Sequence, residues 1–180
     1  MSVFTNPGSA SREHADAYIA AILDVLGDSD PIKVLEATPA TFAHVIRGLS
    51  PVELRAPEKP GKWSLQQALA HMADSEVVWS WRLRMVLAHD RPALTGYDQD
   101  LWAERLGYEA ADAALSLRVF TTLRERNLEL LRRAAPEDLR RAGVHEERGE
   151  ESVQHMMRLY AGHDIVHTRQ LRRIRETVAA

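Results

Sequence analysis

Along most of this chain apolar residues recur at intervals of three and four, the spacing that lays one stripe down an α-helix. Sustained apolar–polar alternation is missing, and β-branched clusters are few, so no strand is expected. A first helix is predicted in "SREHADAYIAAILDVLG", with Ser11 as cap and Gly27 as stop. A second follows in "DPIKVLEATPATFAHVIRGLS", with Asp30 as cap and Pro31 at its first position; Pro39 inside that pattern predicts a kink or break. A long helix begins at the Ser64 cap and runs to about His89, with Leu65, Ala68, Leu69, Met72, Val78, Trp79, Leu83 and Val86 as its apolar positions.

The connection "DRPALTGYDQDLWAERLGY" holds room for one short helix around Gln99–Leu106. Another long helix is expected from about Ala110 to Ala134, with Leu115, Val119, Leu123, Leu128 and Leu131 near one face. "PEDLRRAGVHEERGEE" reads as irregular, broken by Gly143 and Gly149. The last helix runs from about Ser152 to Glu176. Four long amphipathic units without a fixed repeat point to an all-α helical bundle, with an additional helical segment before it. Its long connections leave simple up-down-up-down topology unassured.

The 180 residues suit one domain with a sizeable core, spanning 1–180, of which 1–10 are expected to be flexible. With 23 Lys and Arg against 26 Asp and Glu there is no basic excess, so nucleic acid is not an expected partner. No apolar run reaches the ~18 residues of a membrane span, and the N-terminus lacks a signal-peptide core; the expected setting is the cytoplasm. Cysteine is absent, which excludes disulfides, thiolate metal sites and a cysteine nucleophile of the chain's own. Any metal must be held by His, Asp or Glu.

Eight histidines are present. His14, His44 and His89 have no partner at helical spacing and read as solvated or hydrogen-bonded. His163 and His167, in "AGHDIVHTRQL", differ: residues four apart stack on one helix face, which makes them half of a metal site. "HDIVH" is not a zinc-protease motif, because only 13 residues follow His167 and their one carboxylate, Glu176, lies on the same helix. A third ligand must come from upstream. His71 is the best candidate, mid-helix beside the face that Ala68 and Met72 turn inward; His155, two turns before His163, could border the site. Three neutral imidazoles would leave a position open, as catalytic sites do.

These residues also carry a family resemblance. The order is a Trp63-Ser64 helix opening, a mid-helix His71 followed by Asp74 and Glu76, then a Tyr97-Asp98-x-Asp100-x-Trp102 connection. A His145-x-Glu-Arg-Gly149 loop and the late His163-x3-His167 complete it. From about Tyr18 to Ile174 this closely resembles the DinB/YfiT-like superfamily of metalloenzymes. The resemblance implies a four-helix bundle with up-down-down-up connectivity. It also implies a divalent metal (nickel or zinc, with manganese or iron as further options) on His71, His163 and His167, and a homodimer. Characterised branches attach low-molecular-weight thiols such as bacillithiol or mycothiol to electrophiles, or isomerise a substrate with mycothiol, and other members are named as hydrolases.

Two chemistries follow for a small-molecule substrate. In one, a thiol cosubstrate loses its proton at the open position and attacks an electrophile. In the other, a metal-bound water attacks an ester or amide, with Asp74, one turn after His71, as base. Asp164 is a further possible base, or a group that orients a ligand histidine. A non-catalytic metal-binding protein is the third reading. Asp74 and Glu76 have a plain reading too, solvated or paired with Arg82 or Arg84. Tyr97 and Trp102, with Asp98 and Asp100 between or beside them, sit where a loop could cover the site, and Trp79 and Trp81 read as core and interface.

Overall fold

The computed structural model describes residues 12–179; the segment 1–10 and the Ser11 cap lie outside the described residues. Among the described residues seven α-helices predominate: α1 Arg12–Leu26, α2 Pro31–Ile46, α3 Pro51–Arg55, α4 Leu65–Ala88, α5 Gln99–Arg105, α6 Ala113–Arg133 and α7 Val153–Val178. Their starts are set by short polar side chains that accept orphan backbone N–H groups. Asp30 accepts from Ile32 N at 2.9 Å, and Ser64 with Gln67 forms a reciprocal capping box at the head of α4. Ser152 caps α7 through His155 N at 3.1 Å. No described helix is long and apolar enough to cross a membrane.

The pairings give the topology. Along α4 and α6 the contacts advance together, from Gln66 with Glu109 just before α6, to Glu76 with Arg124, to Arg84 with Asn127, so the two helices run parallel. Trp79 meets Tyr160 while His71 meets His163, so α7 runs against α4. Leu35 and Asp164 share Arg124, and Val45 is reached by Arg175, so α2 runs with α7. The four main helices are thus up (α2), down (α4), down (α6) and up (α7), the connectivity expected from the resemblance. Each parallel step requires a long connection, and residues 89–112 between α4 and α6 supply one. Helix α1 lies on α7, where a Cβ on Gly162 would overlap the Ile22 carbonyl and stand 2.7 Å from its Cγ2; only glycine permits that approach.

Three expectations are corrected. A small sheet is present: β1 Ala93–Leu94 pairs parallel with β2 Ala142–His145, which pairs antiparallel with β3 Gly149–Ser152. Strands of two to four residues are too short for alternation to register. Gly143 belongs to this sheet because a Cβ there would press on Leu94 and Pro92 O at 2.9 Å. Second, α2 passes through Pro39 unbroken. The carbonyl that Pro39 cannot serve, that of Leu35, accepts instead from Arg124 Nη1 at 3.1 Å. Third, Leu115 and Val119 are exposed, and the buried stripe of α6 is Ala113, Phe120, Arg124, Asn127, Leu128 and Leu131.

Candidate metal centre

Antiparallel packing of α4 on α7 brings His71 against His163 and His167, one turn apart. The three offer ring nitrogens that all lie within 4.8 Å of one another. His71 Nε2 and His163 Nε2 are 3.4 Å apart. Two imidazoles at ~2.05 Å from one tetrahedral ion would place their nitrogens about 3.3 Å apart, so the spacing fits a shared cation. His167 Nδ1 is 2.7 Å from Gln170 Oε1, a bond that requires the proton on Nδ1 and leaves Nε2 its lone pair. His71 and His167 are buried and His163 half-buried.

All three are held neutral, the form that ligates. Burial drives His71 and His163 well below the ordinary histidine range, assisted in both by His167 and in His163 also by His71, and burial lowers His167 to about 4. His71 Nδ1 and His163 Nδ1 have no partner among the described residues, whereas the Nε2 atoms converge. This donor set fits a divalent ion that accepts imidazole. Trp63 covers one side, its ring 5.1 Å from that of His71.

His71 and His163 open onto a cavity of about 60 Å³. The rest of its wall includes Tyr18 of α1, Ser75 and Arg82 of α4, Gly96 and Tyr97 of the long connection, Glu147 and Arg148 of the hairpin turn, and Tyr160 of α7. Arg82 donates to the Thr95 carbonyl, and Gly96 N–H to Glu146 Oε1 at 2.6 Å, which stitches the connection to the helix and the hairpin. His145, at the end of β2, accepts from Glu147 N–H through Nδ1 at 3.2 Å and shapes that turn; burial and the nearby Arg148 and Arg82 press it down to about 3.

Among the expected site residues, Tyr97 lines the cavity, and Trp102 backs it with rings 4.5 Å apart. His155 sits in the first turn of α7 and does not line it. Asp74 does not line it either: its carboxylate accepts the Tyr108 hydroxyl at 2.7 Å. Neither Glu76 nor Asp164 is where the spacing put it. Both are buried on Arg124 of α6, which gives two hydrogen bonds to each and a fifth to Leu35 O. Asp164 therefore orients no ligand histidine, and Glu76 pairs with neither Arg82 nor Arg84. Trp79 is core, and Trp81 is 64% exposed.

The residues that sequence reasoning missed are Arg124, Asn127, Tyr18, Arg82, Arg148 and Tyr160. Arg124 and Asn127 had a signal, since Phe120, Arg124, Asn127 and Leu131 follow helical spacing; Arg82 and Tyr160 share helices with His71 and His163 at helical spacing, whereas Tyr18 and Arg148, from distant segments, had none.

Comparison with known proteins agrees with this geometry. Residues 34–171 match the family model described as the DinB superfamily. A relative from Bacillus mycoides, named as a proposed metal-dependent hydrolase, is 28% identical over 173 residues, covering 96% of this chain and 92% of its own. YfiT of Bacillus subtilis, named likewise, is 29% identical over 146 residues, covering 79% and 82%. The solved YfiT structure, described as having an unusual four-helix bundle topology, superposes with a TM-score of 0.71 at 26% identity, over 91% of this chain and 88% of that one. With the bundle, its connectivity and the convergent histidines in place, the chain belongs to the DinB superfamily.

Proposed function

We propose that His71, His163 and His167 hold one divalent cation and that the site activates a low-molecular-weight thiol for transfer of its sulfur to an electrophile. The observation that carries the reading is the convergence of three neutral imidazoles beside a cavity. Three protein ligands leave room for a small molecule, whereas structural zinc sites are closed by four. Bound there, the cation supplies Lewis acidity and lowers the pKa of a thiol or water.

The chain's own residues do the rest. Burial keeps the imidazoles deprotonated, and Gln170 fixes the orientation of His167. The chain has no cysteine, so the sulfur arrives with the cosubstrate. Its bond to the electrophilic carbon forms as the leaving group departs with the electron pair, and the thiol proton passes to solvent. This step needs no protein base, which accords with Asp74 being held by Tyr108 outside the cavity wall. The reading requires a thiol-rich compartment such as the cytoplasm. It extends to a homodimer, for which exposed Trp81 and Val77, one turn apart on α4, offer an apolar contact.

Hydrolysis is the second reading. It is favoured by the Glu147 carboxylate in the cavity wall and by the names of the relatives. The test is metal analysis of the untagged protein, followed by turnover of monochlorobimane with bacillithiol or mycothiol and of model esters without thiol. One ion per chain, lost in His71→Ala, with thiol-dependent turnover supports transfer. Ester turnover without thiol that falls in Glu147→Gln selects hydrolysis, and metal-free protein that cannot be reconstituted refutes both. Asp74→Asn should keep turnover within about threefold of the parent.

A further inference from the structure

The cavity wall contains a cation that the histidines do not use. Arg82 follows His71 by 11 residues on α4, and 11 steps of 100° return to within about 20° of the same face. Ser75, one turn after His71, falls in the same row, and all three line the cavity. The α-carbons of His71 and Arg82 are separated by ~16 Å of helix rise, and a long helical side chain leans back toward the N-terminus, here toward His71.

Arg82 is 3% exposed, yet among the described residues its one hydrogen bond is from Nη2 to the neutral carbonyl of Thr95; its Nε–H has no partner. Arg148, in the same wall, is different: Glu151 takes its charge through contacts of 2.6 and 3.0 Å. Glu151 is near enough for Arg82 to help lower its carboxyl, but among the described residues no carboxylate is in contact with Arg82. A guanidinium does not discharge, so burying one without a contacting counter-charge is costly. Tyr18, Tyr97 and Tyr160 close the space between the two ends with aromatic walls.

We propose that Arg82 binds a carboxylate on the small molecule whose other end meets the three histidines, which makes the substrate class an elongated thiol bearing an acid group. The proposal rests on the reading that the histidines hold a metal. Glu147 shares the wall, so the gain is that of one charge-assisted contact, about tenfold in affinity, and not that of a strongly positive pocket.

The test uses the full chain loaded with cobalt, whose thiolate charge-transfer absorption reports binding directly. Mercaptoacetate, mercaptopropionate and mercaptohexanoate are titrated against mercaptoalcohols of matching length. The acid should bind about tenfold tighter than its alcohol at one or more lengths. That preference should vanish in Arg82→Gln and survive in part in Arg82→Lys, with cobalt content and alcohol affinity unchanged. Equal affinity for acid and alcohol at every length in the parent protein overturns the anchor, as does a preference that persists in Arg82→Gln. The parent comparison stands even where a variant misfolds. A chain that takes up no cobalt overturns the metal reading itself, a failure separate from cobalt-loaded protein that shows no acid preference.

Discussion

Replacing Arg124 with Met removes the cation that holds α2, α4, α6 and α7 together. Its five N–H donors are all used: two on Glu76, at 3.0 and 2.8 Å, two on Asp164 and one on Leu35 O. Its guanidinium also lies 5.2 Å from the Trp79 ring and 4.6 Å from that of Phe120. Methionine fills much of the volume, so the loss is electrostatic, with two carboxylates left buried at 1% and 0% exposure. Breaking a buried pair by removing one partner costs about 3–5 kcal/mol. For a chain of this length that lowers Tm by roughly 6–20 °C. The cost should depend on pH. Burial raises the Glu76 carboxyl while Arg124 opposes that rise, so without Arg124 its folded-state pKa climbs further above the unfolded value. A group of that kind loses stability as pH rises through the gap. Urea denaturation of metal-free parent and variant should therefore show a difference largest near pH 8 and smaller near pH 5, and Glu76→Gln added to the variant should restore about 1–2 kcal/mol. A difference below about 1 kcal/mol at pH 8, or one that is flat with pH, would refute the reasoning.

Two further perturbations test the site. Because burial depresses all three ligand histidines, the folded metal-free protein takes up protons less readily than the unfolded chain below about pH 6.5. Stability of the apo form should fall on acidification from there toward pH 4, by up to ~1.4 kcal/mol per pH unit for each histidine, and His71→Ala should reduce the slope measured by denaturation. Gly162→Ala drives a methyl into the Ile22 backbone and should cost about 1–3 kcal/mol. It also pushes Tyr18 off the cavity wall, so KM should rise more than kcat falls; an unchanged melting temperature would show that α1 is not seated as described.

What the sequence makes legible here is whatever repeats within one helix. The His163–His167 pair is such a feature, since four residues fix both their stacking and their direction. His71 required a further step, because spacing within α4 says that it turns inward but not which helix it meets. The antiparallel packing of α4 on α7 decides that. The cavity wall is legible only in part: Tyr97 falls in the connection expected to cover the site and Arg82 on the helix face of His71, but no local pattern brings Tyr18 or Arg148 beside them. Tyr18, Arg82, Tyr97 and Arg148 sit on four segments and converge through contacts such as Gly162 against Ile22 and Gly96 N–H on Glu146.

Charge is where local reading went astray, for a physical reason. Along α4, Glu76 has arginines six and eight residues away, and a surface pair looked adequate. On α6, Arg124 sits next to two charged residues, Glu125 and Arg126, so nothing in its immediate neighbours marks it as buried. Yet Phe120, Leu128 and Leu131 place Arg124 on the buried stripe, where a cation can remain only if every donor is met. Two acids from other helices meet four of them, and a carbonyl must meet the fifth. That carbonyl is available because Pro39, four residues after Leu35, has no N–H to offer it. The proline expected to break α2 thus leaves the helix whole and supplies the acceptor that completes the coordination of Arg124. The same arginine ties α4 to α7 at Glu76, five residues beyond His71, and at Asp164, next to His163, and so braces the two helices that carry the three imidazoles.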